Sequence, residues 1–191
     1  GTRADFGKLK SLIQITQNSK NIQAHIFATG MHLNEIYGRT VEEIIKCGFE
    51  NIHCYENHLE GNDMDKILSS TINGFSDYIK KLKPDMVVIH GDRVEALAGA
   101  IVGSLNNILV SHIEGGEISG TVDELIRHSV SKLSHLHFVA NNKAKLRLRQ
   151  LGELDSQIHI IGSPDLDLMN SKNLPDITEA KKYYDVSYDS Y

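Results

Sequence analysis

The sequence predicts an α/β fold with a doubly wound, mainly parallel sheet, and three observations carry that prediction. Apolar β-type runs alternate with amphipathic stretches along the chain, the pattern of βαβ units. Met86-Val87-Val88-Ile89 and Ile108-Leu109-Val110-Ser111-His112-Ile113 are bounded by breaking residues and read as strands buried on both faces. Each run then ends in a polar cluster, His90-Gly91-Asp92-Arg93 and Glu114-Gly115-Gly116-Glu117. Ligands of open α/β sheets bind beyond the carboxyl ends of the strands. Asp92 and Glu114 are therefore expected at neighbouring strand ends facing one crevice, where proton transfer on a bound small molecule would take place.

The elements follow in order. Residues 1–7 read as a loop that should follow a strand, and Leu9, Leu12, Ile13 and Ile15 fit one helix. A strand over 22–29 stops at Gly30, a helix over 37–47 ends at Gly48 as a C-cap, and 52–55 is a short strand. A longer helix covers 63–82 and is closed by Pro84. After the strand before Asp92 comes a helix over 94–105, then the strand before Glu114. Thr121 and Glu124 have the spacing of a capping box opening the next helix. Strand 136–140, helix 143–151 and strand 157–161 follow, Gly162-Ser163-Pro164 breaks the pattern, and 178–184 is a last helix. Right-handed crossovers stack these units into one sheet.

At 191 residues the chain holds one domain, or one domain and the start of another. It is 40% hydrophobic and 24% charged, a composition that supports a sizeable core. A net charge of −5 gives no support for nucleic acid or an anionic membrane as partner. The densest basic run, Lys143, Lys145, Arg147 and Arg149 with leucines between, reads as a solvated helix face. No apolar run approaches the ~20 residues of a membrane span, and no signal-peptide pattern is present. Cys47 and Cys54 fit reduced thiols of a cytoplasmic enzyme, not a disulfide scaffold.

Among candidate site residues, Arg3 stands in the Gly-bounded loop before a helix, where backbone N–H groups favour anions and a guanidinium adds phosphate recognition. A surface pair with Asp5 explains it equally well. Asp92 reads either as a turn carboxylate capping the next helix or as an acid or base, with Arg93 meeting phosphate; partial burial would tune such a carboxylate toward neutral pH. Glu114, between an apolar strand and a Gly-Gly turn, is costly to place there unless paired or used, so function is favoured. Asp123 suits the first helical turn through the helix dipole alone, yet is free to point elsewhere, whereas Glu124 is occupied by the cap. His90 and His112 are expected to hydrogen-bond in the crevice. Ten histidines include no compact ligand spacing, so no metal is expected. G-x-G-x-x-G and Walker motifs are absent, which argues against NAD and ATP, and a nucleophile elbow is absent too.

Six ordered motifs resemble the hydrolysing UDP-N-acetylglucosamine 2-epimerases. They are Gly1-Thr2-Arg3-Ala4-Asp5-Phe6-Gly7, Thr29-Gly30-Met31-His32-Leu33, His90-Gly91-Asp92-Arg93, His112-Ile113-Glu114-Gly115-Gly116-Glu117, Asp123-Glu124-Leu125-Ile126-Arg127-His128 and Ile161-Gly162-Ser163-Pro164. The resemblance implies two Rossmann-like domains in the glycosyltransferase-B arrangement, with 1–170 as the N-terminal domain lacking its first strand and 171–191 as a linker into a second domain. It implies a reaction in which a base removes the C2 proton, UDP departs to leave a 2-acetamidoglucal, and water adds to give N-acetylmannosamine. The Gly-Gly-Glu form after Glu114 and the Asp-Glu-Leu-Ile-Arg-His form point to the hydrolysing branch and thus to sialic-acid-type sugar synthesis.

By position, Asp92, Glu114 and Asp123 match the family's acids, Glu114 and Asp123 being the preferred proton-transfer pair. Arg3 and Arg93, with Gly7 and His112, match substrate-binding positions. No cofactor is implied; the partner is the nucleotide sugar, and the full-length protein is expected to be a cytoplasmic homo-oligomer. The 191-residue chain alone is expected to bind UDP weakly and not to turn over. Three alternatives stand: a 2-epimerase of a UDP-linked 2,4-diacetamido-6-deoxy sugar for legionaminic acid, a glycosyltransferase half-domain, and a non-catalytic nucleotide-binding module.

Overall fold

The computed structural model describes residues 1–57, 63–169 and 176–183. Helix α1 (Arg3–Gln17) is nucleated by a capping box at Thr2: its hydroxyl accepts from the Asp5 N–H, and the Asp5 carboxylate accepts from the Thr2 N–H. The expected loop over 1–7 is therefore helical from Arg3, and Gly7 lies inside the helix. Strand β1 (Ile26–Thr29) is shorter than 22–29, because its parallel partner β2 (Ile52–Tyr55) offers residues only from Ile52 onward. The expected helix 37–47 is divided. A 3₁₀ turn (Glu35–Tyr37) ends at Gly38 with φ +77°, and α2 (Val41–Lys46) follows.

Helix α3 (Met64–Leu82) leads to β3 (Met86–His90), α4 (Val94–Leu105), β4 (Leu109–Ile113), α5 (Val122–Lys132), β5 (Leu136–Val139), α6 (Asn142–Gln150) and β6 (Ile158–Ile160). Short helices α7 (Asp165–Met169) and α8 (Ile177–Tyr183) close the described chain. Of the expected linker, 171–175 and 184–191 lie outside the described residues. Every described strand pair is parallel, in the orders β1-β2 and β3-β4-β5-β6. Among the described residues no ladder joins the two sheets.

Helices cover both sides. Phe6 of α1 packs with Ala28, Val41, Ile44 and Phe49 on one face of β1. Phe27, the residue before Ala28, faces the other way and meets Phe75 of α3 at 4.9 Å between ring centroids. The larger core joins Ile67, Val87, Ile89, Ala100, Val110, Ile126 and Val130. Strand β4 is buried from Val110 to Ile113 on both faces, as expected, but β3 alternates. Val87 and Ile89 enter the core, while Val88 is 45% exposed, because helices cover only one face of that strand. The capping box at 121–124 does not form. Glu124 reaches further back, to the N–H groups of Ser119 (2.8 Å) and Gly120 (2.7 Å), and the Thr121 hydroxyl turns to Asp123.

Candidate functional site

The chain turns sharply where β3 and β4 end. Gly91 has φ +77°, and Glu114, a residue with a full side chain, is held at φ +64°. That conformation costs about 1–3 kcal/mol and persists only where the surroundings impose it. Here the Glu114 N–H donates to the Phe138 carbonyl at 2.9 Å, and the Gly91 N–H donates to Ile113 at 3.1 Å. His112 lies beneath the turn, fully buried, and does not line the crevice as expected. Its Nε2 donates to the Gly91 carbonyl at 2.9 Å, and its Nδ1 faces Ser131 Oγ at 3.0 Å. Burial pushes its pKa down to about 3, so the ring is neutral, with the proton on Nε2. Gly115 is required beside it, since a Cβ there would stand 2.9 Å from both His112 Nδ1 and Ser131 Oγ.

Glu114 is paired, and through a single oxygen. Its Oε2 accepts from Lys8 Nζ at 2.7 Å and from His90 Nε2 at 3.1 Å; Oε1 has no hydrogen-bond partner among the described residues. His90 Nδ1 in turn lies 2.9 Å from Asp5 Oδ1. Carboxylates only accept, so a ring bonded to one at each nitrogen carries both protons and is cationic. Burial works against that charge, but the two hydrogen bonds outweigh it and raise the His90 pKa. The same bond from His90, opposed by burial and reinforced by Lys8, lowers Glu114 to about 2. Glu114 is thus tuned away from neutral pH. At physiological pH it is ionised, the form a proton acceptor needs, and its lowered pKa makes it a weaker base than a free carboxylate.

Asp92 accepts from Arg127 Nη2, and the same guanidinium donates through Nη1 to the Glu117 carbonyl at 3.1 Å. Arg127 thereby ties the β3 turn, the Gly-Gly turn and α5. Asp123 lies one helical turn before Arg127 on α5, on the same face, with a 3.3 Å hydrogen bond from Thr121 as its side-chain contact. Arg93 is the exposed N-cap of α4 and has no side-chain partner among the described residues. Arg3 pairs with Glu43 at 3.2 Å in an exposed ion pair, while Asp5, its suggested partner, is used by Thr2 and His90. Arg147, from the basic run read as a solvated face, donates to the Gly116 carbonyl at 3.0 Å and so fixes the glycine turn.

The structure therefore brings Glu114 together with His90, and Asp92 together with Arg127; neither Asp123 nor Arg3 joins the buried cluster. Asp5 and Lys8 escaped the sequence reading as site residues. The available signal was their spacing of three, which puts both on one face of a helix once 1–7 is read as helical. Among the described residues no group of three or more His, Cys, Asp or Glu could hold a metal ion, and no helix is long and apolar enough to cross a membrane.

The chain is a parallel α/β domain with helices on both sides of its sheets, of the glycosyltransferase-B-like fold class that its structural neighbours share. The solved structures it is similar to include a UDP-N-acetylglucosamine 2-epimerase (TM-score 0.80, 21% identity, covering 95% of this chain and 52% of that one). Another is that of the Neisseria meningitidis UDP-GlcNAc 2-epimerase bound to UDP-GlcNAc (TM-score 0.78, 21% identity, covering 97% and 51%). Residues 14–189 match the family described as UDP-N-acetylglucosamine 2-epimerase, and the chain belongs to that family. It is 52% identical over its whole length, and over 51% of the relative's, to a protein of N. meningitidis serogroup B named UDP-N-acetylglucosamine 2-epimerase. It is 41% identical, over 87% of this chain and 45% of the relative, to a Legionella pneumophila protein named UDP-N,N'-diacetylbacillosamine 2-epimerase (hydrolyzing). The chain spans about half the length of these relatives.

Proposed function

We propose that the full-length protein is a hydrolysing UDP-N-acetylglucosamine 2-epimerase. In this reading a carboxylate takes the C2 proton, the C1–O bond breaks as its electrons leave with UDP, and a C1=C2 double bond forms. Water then adds its oxygen at C1 while a proton returns to C2 from the opposite face, releasing N-acetylmannosamine for sialic-acid-type synthesis in the cytoplasm. Glu114 and Asp123 are the proton-transfer pair, Asp92 assists, and Arg3 and Arg93 meet the UDP moiety. One observation carries the reading: Glu114 is an ionised carboxylate in a forced conformation, with one oxygen anchored and the other without a hydrogen-bond partner among the described residues. A C2–H beside an N-acetyl group is weakly acidic, so such preorganisation is what its removal needs.

The test is turnover of UDP-N-acetylglucosamine by the full-length protein in D₂O, followed by NMR. Free UDP with N-acetylmannosamine deuterated at C2 is expected; no turnover, or no deuterium at C2, refutes the proposal. The 41% identical Legionella relative favours a second substrate, a UDP-linked diacetamido sugar, which the same assay compares directly.

A further inference from the structure

We infer that Asp5 and His90 are positioning residues that hold Oε2 of Glu114 and thereby present Oε1 to the reacting sugar. The inference deepens the proposed function and rests on Glu114 being its proton-transfer group. Asp5 and His90 each meet their two neighbours through different atoms. Thr2 donates from its backbone N and its Oγ1 to Asp5 Oδ2, both at 2.8 Å, which leaves Oδ1 for His90 Nδ1 at 2.9 Å. His90 Nε2 then reaches Glu114 Oε2 at 3.1 Å. The His90 side chain is 5% exposed and those of Asp5 and Glu114 are 16% and 17% exposed, so the histidine cannot itself meet a substrate while the glutamate can. Among the described residues the charged groups paired around the ring are Asp5 from α1, Glu114 beyond β4 and Lys8 behind it; His112, which feels the charge of His90, is neutral.

An ion cluster kept only for stability would need no such division of atoms, since apolar groups of similar volume often stabilise as well. A positioning cluster requires it. The carboxylate is fixed against rotation about its last side-chain bond, and one oxygen is withheld so that the other is aimed. Misplacing a reacting group by ~1 Å can cost about 10²-fold in rate.

The experiment is a double-mutant cycle in the full-length protein, reading kcat and KM for UDP-N-acetylglucosamine with melting temperature alongside. His90→Gln is expected to lower kcat by about 10²-fold with KM changed less than about threefold. Asp5→Asn, which keeps the acceptor, is expected to retain more activity than Asp5→Ala. The double variant His90→Gln/Glu114→Gln is expected to be no slower than Glu114→Gln alone, because His90 acts through Glu114. Multiplying losses, or a His90→Gln loss confined to KM, overturns the inference. If Glu114→Gln keeps full activity, the proposed role of Glu114 fails instead. The ¹⁵N shifts of His90 then decide separately: both nitrogens protonated at pH 7, with a change on Glu114→Gln, supports the anchor, and a neutral ring indifferent to that substitution overturns it.

Discussion

His112 donates to the carbonyl of Gly91 at 2.9 Å, so the turn that carries Asp92 hangs from the strand that carries Glu114. The two acids are placed by one buried imidazole, and its surroundings are packed tightly enough to be tested. Gly115→Ala would drive a methyl to 2.9 Å from both His112 Nδ1 and Ser131 Oγ. We expect a loss of about 1–3 kcal/mol in urea unfolding, the usual range for overpacking. An unchanged midpoint would show that the turn can shift.

The same histidine gives a pH dependence with a definite sign. Its folded pKa is depressed from 6.5 to about 3, so below pH 6.5 the unfolded chain takes up a proton that the folded chain refuses. Stability present above pH 6.5 is therefore lost as the pH falls toward 3, at about 1.4 kcal/mol per pH unit for each such histidine. Burial lowers His32 and His137 as well, and they act in the same sense. Glu114 and Asp5, also depressed, lose their contribution only below their ordinary values of 4.5 and 3.8. His90 is raised, so its contribution is complete below pH 6.5 and is lost at higher pH. Between pH 5 and 6.5 the depressed histidines dominate, and His112→Gln is expected to flatten the slope of urea midpoint against pH. Parallel slopes would contradict the assignment.

Asp92 and Arg127 should behave as a coupled unit. Their side chains are 22% and 13% exposed, and removing either partner leaves the other poorly hydrated. Arg127→Ala is expected to cost about 1–3 kcal/mol and Asp92→Asn less, with a coupling of at least about 0.5 kcal/mol in the double variant. Additive losses in thermal or urea unfolding would show that the contact contributes nothing of its own.

Asp123 offers the complementary case. With a single 3.3 Å side-chain hydrogen bond among the described residues and a place near the start of α5, its replacement by Asn should change stability by no more than about 1 kcal/mol. In the full-length protein the same substitution is expected to lower product formation by about 10²-fold or more. Unimpaired turnover would remove Asp123 from the proton-transfer pair.

Much of the scaffold was readable because its punctuation is local. Helix α4 falls on the expected 94–105, bounded by the polar cluster before it and by Asn106 and Asn107 after it. Gly48, at φ +74°, follows α2 where a C-cap is expected, and α3 ends at Leu82 just before the expected breaker Pro84, with Lys83 at φ +53° between them. The ends of β3 and β4 placed Asp92 and Glu114 for the same reason. Contacts between distant segments were not readable. His90 is 85 residues from Asp5 and 24 from Glu114, and no spacing in the sequence encodes their approach. The start of α1 was misread because the glycines at 1 and 7 suggested a loop, whereas Thr2 and Asp5 supply a complete cap. At α5 the reverse happened: Thr121 and Glu124 have the spacing of a cap, but Glu124 finds two N–H donors in the preceding turn instead.

Among the described residues the two sheets share no ladder, and what spans them differs between the two sides. On one side Phe75 and Tyr78 of α3 lie against Phe27, a joint made of packed rings. On the other, α1 reaches across with Asp5 and Lys8 to His90 and Glu114, a latch made of charge. The molecule thus has a hinge side and a clasp side, and the clasp closes on the carboxylate proposed to do the chemistry. Whatever neutralises Glu114 also loosens the seam between the halves of the domain.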